Sequence, residues 1–222
     1  ARLCNSIEII LIDDCSSEKS IRESNEFFIN RINAHCIKYY PLESNVGRSM
    51  VRKFLVQKAN GLYMLFLDAD TLPDSKTFIM NYLDIINSTP TFKIVLGGLS
   101  YLQRIKNEKE CDFYYYMGKK IGEISADIRL ENPWKYVVTS NLLISADIID
   151  NTPIDTSFIG YGFEDTEWGI RLMKNFQILH IDNTVSHLGL ENKSNLVKKI
   201  IESSENYNRL VDKHDKFLTN WA

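Results

Sequence analysis

Leu65–Thr71 reads LFLDADT, an apolar run that ends abruptly in two carboxylates one residue apart. The stretch Leu62–Leu67, LYMLFL, predicts a strand, because a short continuous apolar run fits a strand covered on both faces. Asp68 and Asp70 at its end repel each other unless a cation or a strong set of donors stands between them. A hard ion such as Mg2+ or Mn2+ prefers carboxylate and water oxygens and leaves positions open for phosphates. A bare D-x-D is equally a solvated turn, so its surroundings must decide. A calcium-binding EF-hand is excluded, since Pro73 and Ile79 stand where that loop needs Gly and Glu.

Working outward, Ile7–Ile12 (IEIILI) predicts another buried strand with both faces covered, ending at Asp13 and Asp14. Ser16 and Ser17 offer a helix N-cap before Ile21, Phe28 and Ile32 at near-helical spacing. Cys36–Leu42 reads as a strand, Asn45–Gly47 as a turn, and Arg48–Ala59 as a helix closed by Gly61. A helix over Ser75–Asn87 and a strand over Lys93–Gly98 follow. This alternation predicts an α/β fold with a mostly parallel central sheet flanked by helices. Ligands in such sheets bind beyond the carboxyl ends of the strands, so Asp13-Asp14 and Asp68-Asp70 are expected to face one cleft. A further strand is expected around Val137–Ser145, and Glu191–Phe217 predicts a charged helical tail with Leu196, Ile200, Tyr207 and Leu210 on one face.

The 222 residues are 44% hydrophobic, enough for a sizeable core. A net charge of -3 from 26 basic and 29 acidic residues is too balanced for a nucleic-acid footprint or a strongly cationic membrane surface. Cys4, Cys15, Cys36 and Cys111 have neither metal-site spacing nor a disulfide pattern, which predicts a reducing compartment. No apolar run approaches the roughly 20 residues of a membrane span, and the opening residues lack a secretory layout. A cytoplasmic protein is expected, with scope for association at the inner face of a membrane.

Chemistry concentrates in the second half. GFEDTEW puts Glu164, Asp165 and Glu167 at a helix start, where the dipole favours carboxylates. One of them could serve as a general base, or all three could simply stabilise the helix. His187, in VSHLG, is either a metal ligand or a hydrogen-bonded core histidine. Arg48 and Arg52, one turn apart, suit a diphosphate or form a solvated helix face. Gly97-Gly98 permits close approach of a ligand or merely a turn.

Taken in order, IEIILIDDCS, NVGRSMVRK, YMLFLDADT, GYGFEDTEWGIRL and VSHLG resemble the family 2 glycosyltransferases of the GT-A fold, up to about Gly189. The GYGFEDTEWGIRL segment with its downstream histidine is most similar to the branch of chondroitin-polymerase-type enzymes and galactosyl- or N-acetylgalactosaminyl-transferases. The resemblance implies a metal-dependent inverting transferase that moves a hexose or N-acetylhexosamine from a UDP-sugar to a glycan or glycolipid hydroxyl in surface-polysaccharide biosynthesis. It implies that Asp14, with Asp13 beside it, binds the uracil, and that Arg48 and Arg52 line the nucleotide pocket. Asp68 would contact ribose or a metal-bound water, and Asp70 and His187 would ligate Mn2+ or Mg2+. Asp165 would be the base, Glu164 would hold an acceptor hydroxyl, and Trp168 would form part of the sugar platform.

By the same resemblance, residues 1–190 form the GT-A domain, lacking the family's usual first strand and helix, and residues 191–222 form a helical extension. A homo-oligomer is compatible with this reading. Two rivals share the fold: a catalytically silent module that binds a nucleotide-sugar or a partner, and a retaining enzyme acting through a covalent carboxylate. A Mg2+-dependent nucleotidyltransferase would want a basic, glycine-rich loop that the sequence does not carry.

Overall fold

The computed structural model describes residues 7–32, 34–89, 91–103 and 109–219. Cys4 lies outside the described residues. The chain divides into two compact units, residues 1–62 and 63–222.

The first unit runs β1 (Ile9–Asp13), α1 (Lys19–Ile32), β2 (Ile37–Pro41) and α2 (Arg48–Lys58). β1 and β2 are parallel, with Ile9 opposite Ile37 and Asp13 opposite Pro41. β1 is not covered on both faces: Ile9 and Leu11 are exposed while Asp13 is buried. An all-apolar run cannot by itself distinguish a doubly covered strand from a half-covered one. Both strands deliver their carboxyl ends to the same edge of the unit, and Gly47, at φ 84°, turns the chain there into α2.

The second unit begins with β3 (Tyr63–Leu67), β4 (Thr71–Pro73), α3 (Phe78–Ser88), β5 (Ile94–Leu96) and β6 (Leu99–Ser100). After α4 (Asp112–Ile121) and α5 (Ala126–Glu131) come β7 (Asn141–Ser145), α6 (Ala146–Asn151), α7 (Glu164–Asn175), β8 (Leu179–His180) and β9 (Val185–His187). The tail is α8 (Lys193–Glu202) and α9 (Ser204–Thr219). The strands form a four-stranded sheet, β3-β7-β5-β8, and a three-stranded sheet, β4-β9-β6.

The expected mostly parallel pairing gives way to a mixed one. β1/β2, β5/β8 and β6/β9 are parallel, whereas β3/β7, β5/β7 and β4/β9 are antiparallel. Strand-helix alternation in the first hundred residues suggests parallel crossovers throughout. β7 arrives much later in the chain and inserts between β3 and β5 in the opposite sense.

Phe78, Tyr82, Val95, Leu143 and Val185 form one buried cluster beneath the sheets. A second, of Trp134, Phe158, Ile170 and Leu210, ties α9 to α7; burying each such side chain contributes roughly 1.5–3 kcal/mol. The tail has no single continuous apolar face. It breaks between Glu202 and Ser204, so Leu210 is buried while Ile200 and Tyr207 are exposed. Gly97 and Gly98 admit protein atoms: a β-carbon on Gly98 would stand 2.6 Å from Arg129 Nη2, and one on Gly97 2.2 Å from the Asn183 carbonyl.

Candidate active site

β3 runs out at Leu67, and the chain turns at once through Asp68 and Asp70 into β4. The turn is closed by Thr71, whose N–H (3.1 Å) and Oγ1 (2.7 Å) both donate to the Asp68 carbonyl. β4 pairs with β9 so that Thr71 lies opposite His187, and the Leu188 N–H donates to the Asp70 carbonyl at 2.8 Å. This register brings His187 Nε2 to 3.5 Å from Asp70 Oδ2. The imidazole stacks on Tyr114 at 5.9 Å and 17° and meets the edge of Tyr101 at 6.1 Å. Burial raises the pKa of both phenols, so they wall the site as neutral rings. His187 Nδ1 is buried and has no hydrogen-bond partner among the described residues.

Asp70 is half exposed, and its carboxylate occupies space left by the missing side chain of Gly189. Two adjacent ligands on an octahedral ion, each about 2.1 Å from it, lie about 3 Å apart. The 3.5 Å between Asp70 Oδ2 and His187 Nε2 is near that spacing. Among the described residues no cluster of three or more His, Cys, Asp or Glu side chains could hold a metal. The pair therefore fits an ion that takes its remaining ligands from phosphate and water, as Mg2+ and Mn2+ do, and not a closed protein cage.

Antiparallel β7 places Asn141 opposite Leu67, so Thr139 belongs to the same sheet end as Asp68. Its N–H and Oγ1 donate to Asp165 Oδ2 at 3.2 and 3.3 Å. Asp165 and the buried Glu164 open α7 after Gly160, Gly162 and Phe163, all at positive φ. Glu167, the third acid of that turn, faces inward, bonded to Arg171 at 2.7 Å and to His214 at 3.1 Å. Trp168 is fully buried, edge-on to Phe66, and donates Nε1–H to the Thr152 carbonyl, so it cannot be a sugar platform.

In the first unit, Asp14 accepts from the N–H groups of Val46 (2.7 Å) and Gly47 (2.9 Å), fixing the turn that starts α2. Arg48 on that helix is exposed and Arg52 buried. Asp13 is buried and accepts from the Ser16 N–H and the Tyr39 hydroxyl. Burial pushes its pKa up, but these bonds outweigh it and leave the group below the usual carboxylate range.

Asp74 escaped the sequence reading. Its carboxylate accepts from Ser100, Thr184, Ser186 and Gln103, which span the three-stranded sheet. Burial raises its pKa, yet the hydroxyls hold it below the ordinary range. Nothing local to DADTLPD separates this structural acid from its neighbours, because its partners lie in strands distant in sequence.

The fold is the GT-A fold. Three solved structures share it: S. aureus TarS 1-349 (TM-score 0.60, 14% identity, 83% of this chain and 52% of that one); the mannosyltransferase PcManGT from Pyrobaculum calidifontis with GDP-Man and Mn2+ (0.56, 12%, 81% and 47%); and GalNAc-T7 with UDP, GalNAc and Mn2+ (0.58, 16%, 83% and 37%). The chain thus spans about half or less of the length of each. Residues 1–97 match the family described as Glycosyl transferase family 2. No curated protein matches the chain.

Proposed function

We propose that the protein is a metal-dependent inverting glycosyltransferase that moves a hexose or N-acetylhexosamine from a UDP-sugar to a hydroxyl of a glycan or glycolipid acceptor, in surface-polysaccharide biosynthesis. The observation that carries the proposal is the Asp70–His187 pair, 3.5 Å apart at the end of the strand that the acidic motif terminates. Asp13, Asp14, Arg48, Arg52 and Asp68 are assigned to the nucleotide. Bound by Asp70 and His187, Mn2+ or Mg2+ would offset the charge that develops on the departing diphosphate. The presence of Mn2+ together with a nucleotide or nucleotide-sugar in two of the structural neighbours supports this choice.

In the proposed reaction the acceptor oxygen bonds to the anomeric carbon as the bond from that carbon to the phosphate oxygen breaks. Asp165 takes the acceptor proton, UDP carries away the bonding pair, and the configuration inverts. Glu164 holds the acceptor hydroxyl, and Thr139 aims the Asp165 carboxylate through its two hydrogen bonds.

Isothermal titration with UDP, with and without Mn2+, on the chain and on Asp70→Ala tests the proposal. Micromolar binding that requires both Mn2+ and Asp70 is expected. Affinity for UDP that neither the ion nor the substitution alters would overturn the metal assignment.

A further inference from the structure

Two neighbouring helices of the second unit turn apolar side chains to solvent. On α4 these are Phe113, Tyr116, Met117 and Ile121, which at 100° per residue lie on one side. The opposite side is packed, since a β-carbon on Gly118 would stand 2.2 Å from the Tyr101 hydroxyl and Tyr114 lies on His187. On α8 they are Val197, Ile200 and Ile201, while Lys199 turns inward over the Tyr161 ring at 4.9 Å. The seven side chains are 37% to 66% exposed. The two faces adjoin, because Lys193 of α8 sets its Nζ 5.7 Å over the Phe113 ring of α4.

Lysines accompany this apolar surface. Lys119 and Lys120 on α4 and Lys193 and Lys198 on α8 are all exposed. The carboxylates of the two helices stand at their ends: Asp112 opens α4, and Glu202 closes α8 about 200° round the axis from Ile200. A chain of net charge -3 therefore carries a local surface of the opposite sign. Exposed apolar surface of this kind marks an interaction site. The core of a protein–protein interface is depleted in lysine, whereas aromatic and aliphatic residues interleaved with lysines characterise helices that lie in the plane of a bilayer. Among the described residues no helix is long and apolar enough to cross one.

We propose that the α4–α8 face seats the protein on an anionic lipid bilayer. Phe113, Met117, Ile121, Val197, Ile200 and Ile201 enter the boundary between headgroups and acyl chains, Tyr116 sits at headgroup level, and the four lysines meet lipid phosphates. Each lysine held near an anionic surface raises partitioning about five-fold. The proposal is independent of the catalytic assignment.

Co-sedimentation with phosphatidylcholine vesicles, with and without phosphatidylglycerol, tests it. Three variants accompany the parent chain: Lys119→Glu/Lys120→Glu, Ile200→Ser/Ile201→Ser, and Lys53→Glu/Lys76→Glu as a charge-matched control outside both helices. All six positions are exposed, and melting curves verify folding. Binding to phosphatidylglycerol vesicles at least ten-fold above phosphatidylcholine is expected, falling with salt. The first variant should lose more than ten-fold and the second several-fold, with the control unchanged. Three results would overturn the proposal: no preference for the anionic lipid, equal losses in the control, or a concentration-dependent dimer that the α4 and α8 variants abolish, which would assign the face to a second copy of the chain.

Discussion

A β-carbon on Gly189 would stand 2.0 Å from Asp70 Oδ2, so the glycine and the carboxylate occupy adjoining halves of one space. The obstructed atom is the end of a side chain, which can swing away at small cost to the fold. Gly189→Ala should therefore leave the melting temperature nearly unchanged while driving Asp70 away from His187. Mn2+-dependent UDP binding is expected to weaken more than ten-fold. Calorimetry and a thermal melt on one sample separate the two effects, and an intact metal dependence would count against the Asp70–His187 pair.

Asp165→Asn keeps an oxygen that can accept from the Thr139 N–H and Oγ1, so local structure should persist. The amide cannot take a proton from an attacking hydroxyl. Transfer should fall about 10²–10⁴-fold, the usual contribution of a general base, with donor affinity preserved. Steady-state kinetics beside UDP titration checks this. Undiminished turnover would move the base elsewhere, with Glu164 the next candidate.

How much of this was legible in the sequence depends on the range of each interaction. LFLDADT exposed the strand end and its acids, because both belong to one short segment. Apart from β4, the order of strands and helices through Leu96 was legible from apolar periodicity. The antiparallel insertion of β7 was not, since strand direction depends on how a connection of some forty residues returns the chain to the sheet. β4 was missed because Thr71–Pro73 is too short to show alternation. Trp168 was misread for the same reason that Asp74 was overlooked. Each looks polar or exposed beside its neighbours, and only distant partners, Thr152 and Phe66 for one, Ser100 and Ser186 for the other, reveal its burial or its bonds. His187 carried a motif, but its pairing with Asp70 required the register of two strands more than a hundred residues apart.

Asn206 on α9 is buried and donates from Nδ2 to the carbonyls of Ile159 (2.9 Å) and Tyr161 (3.3 Å), pinning the loop that leads into Glu164 and Asp165. Ser203 packs 3.1 Å from where a β-carbon on Gly162 would lie, and Tyr207 meets Phe163 at 5.4 Å. Asn206→Ala would remove the donor to both carbonyls, costing about 0.5–1.5 kcal/mol for each hydrogen bond lost. The urea midpoint should fall accordingly, and hydrogen exchange should accelerate across residues 157–163 before the rest of the unit. Uniform acceleration would mean that the tail supports the unit as a whole and not this loop.

His180 makes stability depend on pH. Arg129 Nη1 can only donate, so His180 Nδ1 accepts from it at 3.0 Å and Nε2–H donates to the Pro133 carbonyl at 3.0 Å. Burial, then the Arg129 charge, pushes the imidazole pKa down to about 4 from 6.5. Below pH 6.5 the unfolded chain takes up a proton that the folded chain refuses, so the His180 contribution to stability should fall as pH drops from 6.5 to 4 and change no further beneath. The loss is about 3 kcal/mol. Asp155, held at about 2 by Lys213 and the Ser157 N–H against the upward push of burial, loses its contribution only below its ordinary 3.8, outside this window. His180→Gln, whose amide can accept from Arg129 and donate to Pro133, should flatten the urea midpoint between pH 6.5 and 4. A variant that loses stability on acidification as steeply as the parent would assign the dependence to another group.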